Sequence, residues 1–226
     1  MNKSDLKRNY YMLKGPLAKK GYDWWWHSLT AYDKETGEER PFFIEYFVCN
    51  PALAEEEPTL GQLPENQKAG KKPSYCMIKA GTWGKNPKQI HNFYSMKYFN
   101  CPDDELNVQV GDCSLTETHM KGFARVSEED AKNHPEYMSD AGDMMWDLDI
   151  DKQITFNVGY GANSLFRKLN SFEMFWHAEG IKTQYSGTIW LDGREYEVIP
   201  EKSYGYADKN WGGDFTSPWL WISSCN

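Results

Sequence analysis

The sequence predicts an all-β protein, a sandwich or barrel of antiparallel strands, on three observations. Its apolar surface is carried by rings: 10 Trp, 14 Tyr and 11 Phe make 15% of the 226 residues aromatic, and rings suit a pleated, half-buried strand better than a helix. β-prone runs recur at roughly 8–12-residue spacing between Gly- and Pro-containing turns, as in sandwiches and barrels. Trp146, Leu148 and Ile150 alternate with Asp147, Asp149 and Asp151, the cleanest period-two pattern in the chain. That alternation predicts one apolar face and one wet, acidic face.

The elements follow in order. Residues 1–20 are basic and polar and read as a short helix or arm. Residues 22–32 and 41–48 are ring-rich runs around the turn Asp33-Lys-Glu-Thr-Gly37, which predicts a hairpin. Residues 50–73, with Pro58, Pro64, Pro73 and the acidic triplet at 55–57, read as a loop. Its length is that of a mobile or functional connection. Strands are expected at 75–83, 91–99, 106–110, 114–120 and 122–126. Ser127-Glu-Glu-Asp130 caps a short helical turn that Asn133-His-Pro135 ends. The alternating strand covers 146–158, and residues 163–170 have a helical pattern. Strands at 173–179, 184–191 and 195–199 follow, the last two joined by Asp192-Gly193, a strong hairpin signal. Residues 219–222 are the last expected strand.

Composition narrows the function. The net charge of −8 and the pI near 5.2 argue against nucleic acid. Mean hydropathy is −0.76, and no apolar run nears the roughly 18 residues of a membrane-spanning helix. Residues 1–14 lack the apolar core of a secretion signal, so the expected location is cytoplasmic. The five Cys include no Cys-x-x-Cys pair and read as reduced, buried thiols. No Cys or His pair has zinc-site spacing, so no zinc site is expected. There is no Gly-x-Ser-x-Gly elbow; Gly159-Tyr-Gly-Ala-Asn-Ser164 departs from the dinucleotide fingerprint and reads as a loop. The sequence leaves the oligomeric state open.

The last third holds the chemistry-bearing residues. Tyr206 and Asp208 are two apart and share a face on an extended strand. A carboxyl group buried against rings holds its proton to higher pH, as a general acid requires. His177 and Glu179 would likewise share a face if their segment is extended. In Trp24-Trp-Trp-His27, alternation separates Trp24 and Trp26 from Trp25 and His27. Trp24 and Trp26 would line a pocket with Trp176 or Trp211, and aromatic faces stabilise cations by about 0.5–2 kcal/mol per ring. Each pattern also has a plainer reading: a strand end with a turn, a hydrogen-bonded core histidine, and rings filling a Leu-poor core.

Tyr206-Ala-Asp-Lys-Asn-Trp-Gly-Gly-Asp-Phe215, followed by Pro218-Trp-Leu-Trp-Ile-Ser-Ser-Cys-Asn226, closely resembles the tocopherol cyclase family, related to carotenoid 1,2-hydratases and lipocalin-like proteins. Trp176-His177 and the hairpin from Gly187 to Tyr196 extend the resemblance, which is specific over 175–226 and weak over 22–50. It implies lipocalin-like β-barrel halves around an aromatic-lined apolar cavity, and protonation of a prenyl alkene followed by capture of the cation by a phenol or water, without a cofactor. The hydratases' Tyr-x-Asp pair is matched by Tyr206 and Asp208. Their His-x-Trp pair is matched at His177 but has Glu179 for Trp. Asp208 replaces the cyclases' Glu, and the chain ends where family members continue. The expectation is one lipocalin-like domain over 1–226, or the N-terminal part of a longer two-barrel chain. Its expected function is acid-catalysed cyclisation, hydration or isomerisation of a hydrophobic isoprenoid or polycyclic molecule. Asp208, Tyr206, His177 and Glu179 would be catalytic; Trp24, Trp26, Trp176 and Trp211 would bind substrate. The alternative is a carrier that binds a hydrophobic ligand without chemistry.

Overall fold

Alternation along the first strand sets the architecture. In the computed structural model, which describes residues 6–156, 165 and 173–213, β1 (Tyr22–Asp33) buries Trp25, His27, Leu29 and Ala31 and leaves Trp24, Trp26 and Ser28 half-buried on its other face. β1 pairs with β2 (Glu39–Cys49) as the expected hairpin, and β3 (Tyr75–Thr82) and β4 (Lys88–Tyr94) extend the antiparallel meander. Further along the chain come β5 (Phe99–Asn100), β6 (Asn107–Val110), β7 (Cys113–Thr116), β8 (His119–Val126), β9 (Gly142–Phe156), β10 (Met174–Leu191), β11 (Arg194–Val198) and β12 (Gly205–Gly212). The sheet order is β4-β3-β2-β1-β11-β10-β9-β8-β7-β6-β5. β12 also lies between β1 and β10. Thus β1 pairs with β12 along Tyr22–Leu29 and with β11 at Tyr32 and Asp33.

The sheet curls until β4 meets β8. There the Asn92 side chain stands in for a ladder: its Nδ2 donates to the Arg125 carbonyl and its Oδ1 accepts from the Arg125 N–H, both at 2.7 Å. The result is an all-β, lipocalin-like antiparallel barrel, as the sequence predicts. Trp25, Ile44, Tyr46, Ile78, Trp146 and Leu148 pack in one core, to which β6 and β7 add Val108, Val110 and Leu115. Two short helices flank it, α1 (Pro64–Lys68) and α2 (Glu128–Asn133). Ser127 caps α2 as expected, its hydroxyl accepting from the Asp130 N–H at 3.0 Å. Among the described residues no helix is long and apolar enough to cross a membrane.

The β9 alternation is realised: Met144, Trp146, Leu148 and Ile150 are buried, Asp149 and Asp151 exposed. Asp147 is held by His119 Nε2 at 2.8 Å and Lys121 Nζ at 2.7 Å. Asp192 and Gly193 make the β10–β11 turn with φ of 51° and 81°, left-handed geometry that suits Asp and Gly. The four described cysteines form no disulfide.

Several boundaries differ from expectation. The 50–73 connection contains α1. The strand expected over 91–99 is β4, which starts at Lys88 and stops before Ser95, where a single helical turn intervenes. The division between β7 and β8 falls at Glu117 and Thr118, not at Lys121. The strands expected at 173–179 and 184–191 are one strand, β10, because bulges between His177 and Thr183 absorb the irregular stretch without ending the pairing. The expected helix at 163–170, the strand at 219–222 and Cys225 lie outside the described residues, Leu165 excepted.

Inside the barrel, fully buried Lys209 on β12 is ion-paired with fully buried Asp23 on β1, and its ammonium lies 3.8 Å from the Trp25 ring centroid. Burial pushes the Asp23 carboxyl up to about 6 and lowers Lys209, Lys209 and Asp23 each opposing the other's shift. Removing one partner strands a buried charge, so Asp23→Asn should cost about 3–5 kcal/mol in urea unfolding, whereas the double replacement Asp23→Leu with Lys209→Met should recover most of that loss.

Candidate functional site

β12 places the Tyr-x-Asp pair. Because Lys209 points inward, its neighbour Asp208 points outward, onto the face shared by Trp26, its register partner on β1. Tyr206 lies on the same face and donates its hydroxyl to Asp208 Oδ2 at 3.0 Å. Trp176 on β10 donates Nε1–H to the same oxygen at 2.8 Å. Oδ1 accepts no hydrogen bond among the described residues. Asp208 is 4% exposed. Burial raises its pKa to about 7; the Trp176 and Tyr206 hydrogen bonds oppose the shift, and the carboxyls of Glu179 and Glu45 add to it. With Oδ2 already receiving two donors, the proton of the neutral acid belongs on Oδ1. Burial and Asp208 raise the Tyr206 phenol, which stays a donor.

The rings around this acid form an outer wall. Trp26 stacks on Phe43 with centroids 5.3 Å apart and planes 4° off parallel, and Trp83, 43% exposed, lies 4.8 Å from Phe43. Gly81 makes this possible: a Cβ there would sit 2.7 Å from Phe43 Cζ and 2.0 Å from the Lys88 carbonyl oxygen. Trp24 packs beside Tyr22, centroids 5.7 Å apart. Register continues the row from Asp208 and Trp26 to Glu45 on β2, Lys79 on β3 and His91 on β4.

Four expected placements change. Trp24, Trp26 and Trp176 stand outside the barrel and so do not line an inner cavity; the inward positions are those of Trp25 and Trp211. Trp211 stacks on Phe175 at 5.5 Å. Asp208 and His177, both expected to be catalytic, fall on opposite faces: His177 is the register partner of Lys209 and lies on the inner face, fully buried. Glu179 sits in the β10 bulge, fully buried, ion-paired with Lys152, which also binds Glu117 at 2.8 Å. Burial raises the Glu179 carboxyl, with Lys152 opposing it. The sheet therefore separates His177 and Glu179 from the acid. The structure brings together Asp208, Tyr206, Trp176 and Trp26.

Sequence reasoning missed Glu45, Lys79 and His91. Glu45 gave a signal, a lone acid in Phe42-Phe-Ile-Glu-Tyr-Phe47; Lys79 and His91 gave none without the register. Two open surface depressions, one beside Tyr98 and Phe123 and one beside Arg125 and Asp192, are lined by other residues.

This is a lipocalin-like barrel with a buried, proton-retaining carboxyl on its outer face. No family model and no curated protein matches the sequence. Among solved structures, a Nitrosomonas europaea protein provisionally assigned as AttH is 14% identical over 92% of this chain and 58% of its own, with a TM-score of 0.50. Kievitone hydratase from Nectria haematococca is 13% identical over 93% of this chain and 52% of its own, with a TM-score of 0.49. The chain thus spans little more than half the length of either, and the likeness is one of fold.

Asp208 binds its extra proton only in the folded state between its ordinary value of 3.8 and about 7. Its contribution to stability is therefore full below about pH 4 and lost as the pH rises through about 7. Urea titrations should show Asp208→Asn gaining stability relative to the parent between about pH 4 and pH 8, and carboxyl ¹³C NMR should place the Asp208 midpoint near 7.

Proposed function

We propose that this chain carries an acid-catalysed site for an alkene-bearing hydrophobic molecule, of isoprenoid or polycyclic class, acting without a cofactor as the tocopherol cyclase motif implies. One observation supports it above the others: a carboxyl at the edge of an aromatic wall, its pKa raised by burial to about 7, keeps its proton well above the ordinary carboxylate range and has one oxygen unclaimed among the described residues. In this reading Asp208 Oδ1–H protonates the alkene. The π pair forms the new C–H bond and the adjacent carbon becomes a tertiary cation. Trp176 and Tyr206 stabilise the Asp208 carboxylate left behind. Trp26 and Trp24 face the cation, each ring contributing about 0.5–2 kcal/mol. A phenol or water oxygen captures the cation, giving cyclisation or hydration, and the released proton returns to Asp208. Loss of a proton from the cation in place of capture gives isomerisation.

Glu179 acts from behind the sheet in this reading: its charge helps keep Asp208 protonated. A carrier without chemistry has no use for an acid tuned in this way. A cytoplasmic location belongs to the same proposal.

General acid catalysis contributes about 10²–10⁴-fold, so Asp208→Asn should lose turnover by that factor and keep substrate binding. The assay is a panel of prenylquinols, carotenoids and steroids read by product mass, where hydration adds 18 Da and cyclisation or isomerisation adds nothing. Full activity in Asp208→Asn sinks the assignment.

A further inference from the structure

The outer face carries a second feature, which shares no residue with the wall around Asp208. A cleft of about 540 Å³ lies beside the β6–β7 turn, bounded by the end of β4, the helical turn after it, β5, β6 and Phe123 on β8. That volume falls within the roughly 300–1,000 Å³ of small-molecule sites. Its walls are fixed by backbone. Gly111, with φ of 58°, donates its N–H to the Tyr98 carbonyl at 2.9 Å, and a Cβ there would sit 3.1 Å from Tyr94 Cε1. Tyr94 therefore lies against bare main chain, and Tyr98 stands against Tyr94 with centroids 6.0 Å apart and planes at 64°. The Tyr98 ring is 51% exposed. β5 and β6 add two exposed amides, since register sets Asn100 opposite Gln109. Side chains so placed have Cβ atoms about 4.5–5.5 Å apart.

The chemistry of the lining narrows the ligand. Among the described residues, the side chains of Tyr94, Tyr98, Asn100 and Gln109 make no hydrogen bond. Burial, Cys113, Cys76 and Asp112 push the Tyr94 phenol up to about 12, so it stays a donor. Each amide offers one acceptor and two donors. Charge selects no ion: Lys97 and Asp112 in the lining offset each other, and Arg125, 5.6 Å from the Phe123 centroid, is ion-paired with Asp143 at 2.9 Å. A wholly apolar ligand would strip water from the amides and hydroxyls and return nothing. What fits is a neutral molecule with an apolar face and a rim of hydroxyls. The C–H bonds on one side of a pyranose meet the electron-rich face of an aromatic ring, and each of its hydroxyls both donates and accepts. We infer that the cleft is a saccharide site, in which a neutral sugar chain lays its C–H face on Tyr98 and Phe123. Neighbouring hydroxyls pair with Asn100 and Gln109. Lys97 Nζ, 5.1 Å from the Tyr98 centroid, exchanges a weak, exposed cation–π contact for a bond to a sugar oxygen.

The test is calorimetry and saturation-transfer NMR on the intact chain with cellopentaose, maltopentaose, mannopentaose and chitopentaose, and with sorbitol as a flexible polyol that has no ring face. At least one pentasaccharide should bind with a Kd below about 1 mM, about tenfold or more tighter than sorbitol, with saturation reaching its C–H protons. Tyr98→Ala should weaken that binding by about tenfold, and Tyr98→Phe, which keeps the ring, should hold it within about twofold. Asn100→Ala and Gln109→Ala should each weaken it severalfold. All three positions are exposed, so the variants should unfold in urea as the parent does. Binding of none of the pentasaccharides, equal affinity for sorbitol, tighter binding of dextran sulfate than of any neutral chain, or an affinity that survives Tyr98→Ala overturns the site. Turnover by Asp208 is a separate measurement, so either idea can fail while the other stands.

Discussion

The buried ion pair between Lys209 and Asp23 fixes what β12 presents on each side of the barrel. An ammonium with no exposure keeps its charge only where a carboxylate and aromatic faces replace water, and Asp23, Trp25 and Trp211 supply them. With Lys209 committed inward, Asp208 and Tyr206 are committed outward. A slip of one residue would exchange the two faces, carrying Asp208 into the core and Lys209 out of it. The acid's position is thus set by its neighbour in sequence as much as by its own contacts.

The two faces of this strand use burial differently. Inside, charges are closed into pairs and chains: Lys209 with Asp23, and Lys152 with Glu179 and Glu117. Burial lowers Lys209, while the two carboxylates outweigh burial at Lys152 and raise it. Such arrangements restrict which strands can sit side by side more than they add to stability. Outside, the carboxyls are nearly as dry but loosely matched. Asp208 shares one oxygen with two donors, and Glu45 has an ammonium beyond hydrogen-bond reach. Closed pairs suit a scaffold; open valences on a ring-lined wall suit recognition and proton transfer.

The fold was largely legible in the sequence. β9 declared itself through three aspartates set between apolar residues, and Asp192-Gly193 through its turn chemistry. These are local signals, and local rules decide them. Tyr206 and Asp208 were found for the same reason, since their shared face needs only an extended strand. Which face was not legible, because it depends on the match between Lys209 and Asp23, 186 positions apart in sequence. The bulge after His177 hid the separation of His177 and Glu179 from the acid in the same way: a bulge alters direction without leaving a compositional mark. Trp24 and Trp26 were grouped correctly against Trp25, but inside and outside were exchanged. Glu45, Lys79 and His91 come together only through register across three strands.

The seam where Asn92 meets Arg125 has a consequence for how copies of this chain behave beside one another. β4 ends the sheet order, and a bare final strand is a template on which another chain can add. Here its outward-facing amides are already engaged. The Gln89 N–H donates to the Asp140 carboxyl at 2.8 Å, the His91 N–H to the Ser139 hydroxyl at 3.0 Å, and the Gln89 carbonyl accepts from the Asp140 N–H at 2.7 Å. Side chains of a loop occupy the places that a foreign backbone would need. A protein with this many rings on its strands carries an inherent risk of self-association through its borders, and Ser139, Asp140 and Asn92 serve as its guard against templated aggregation.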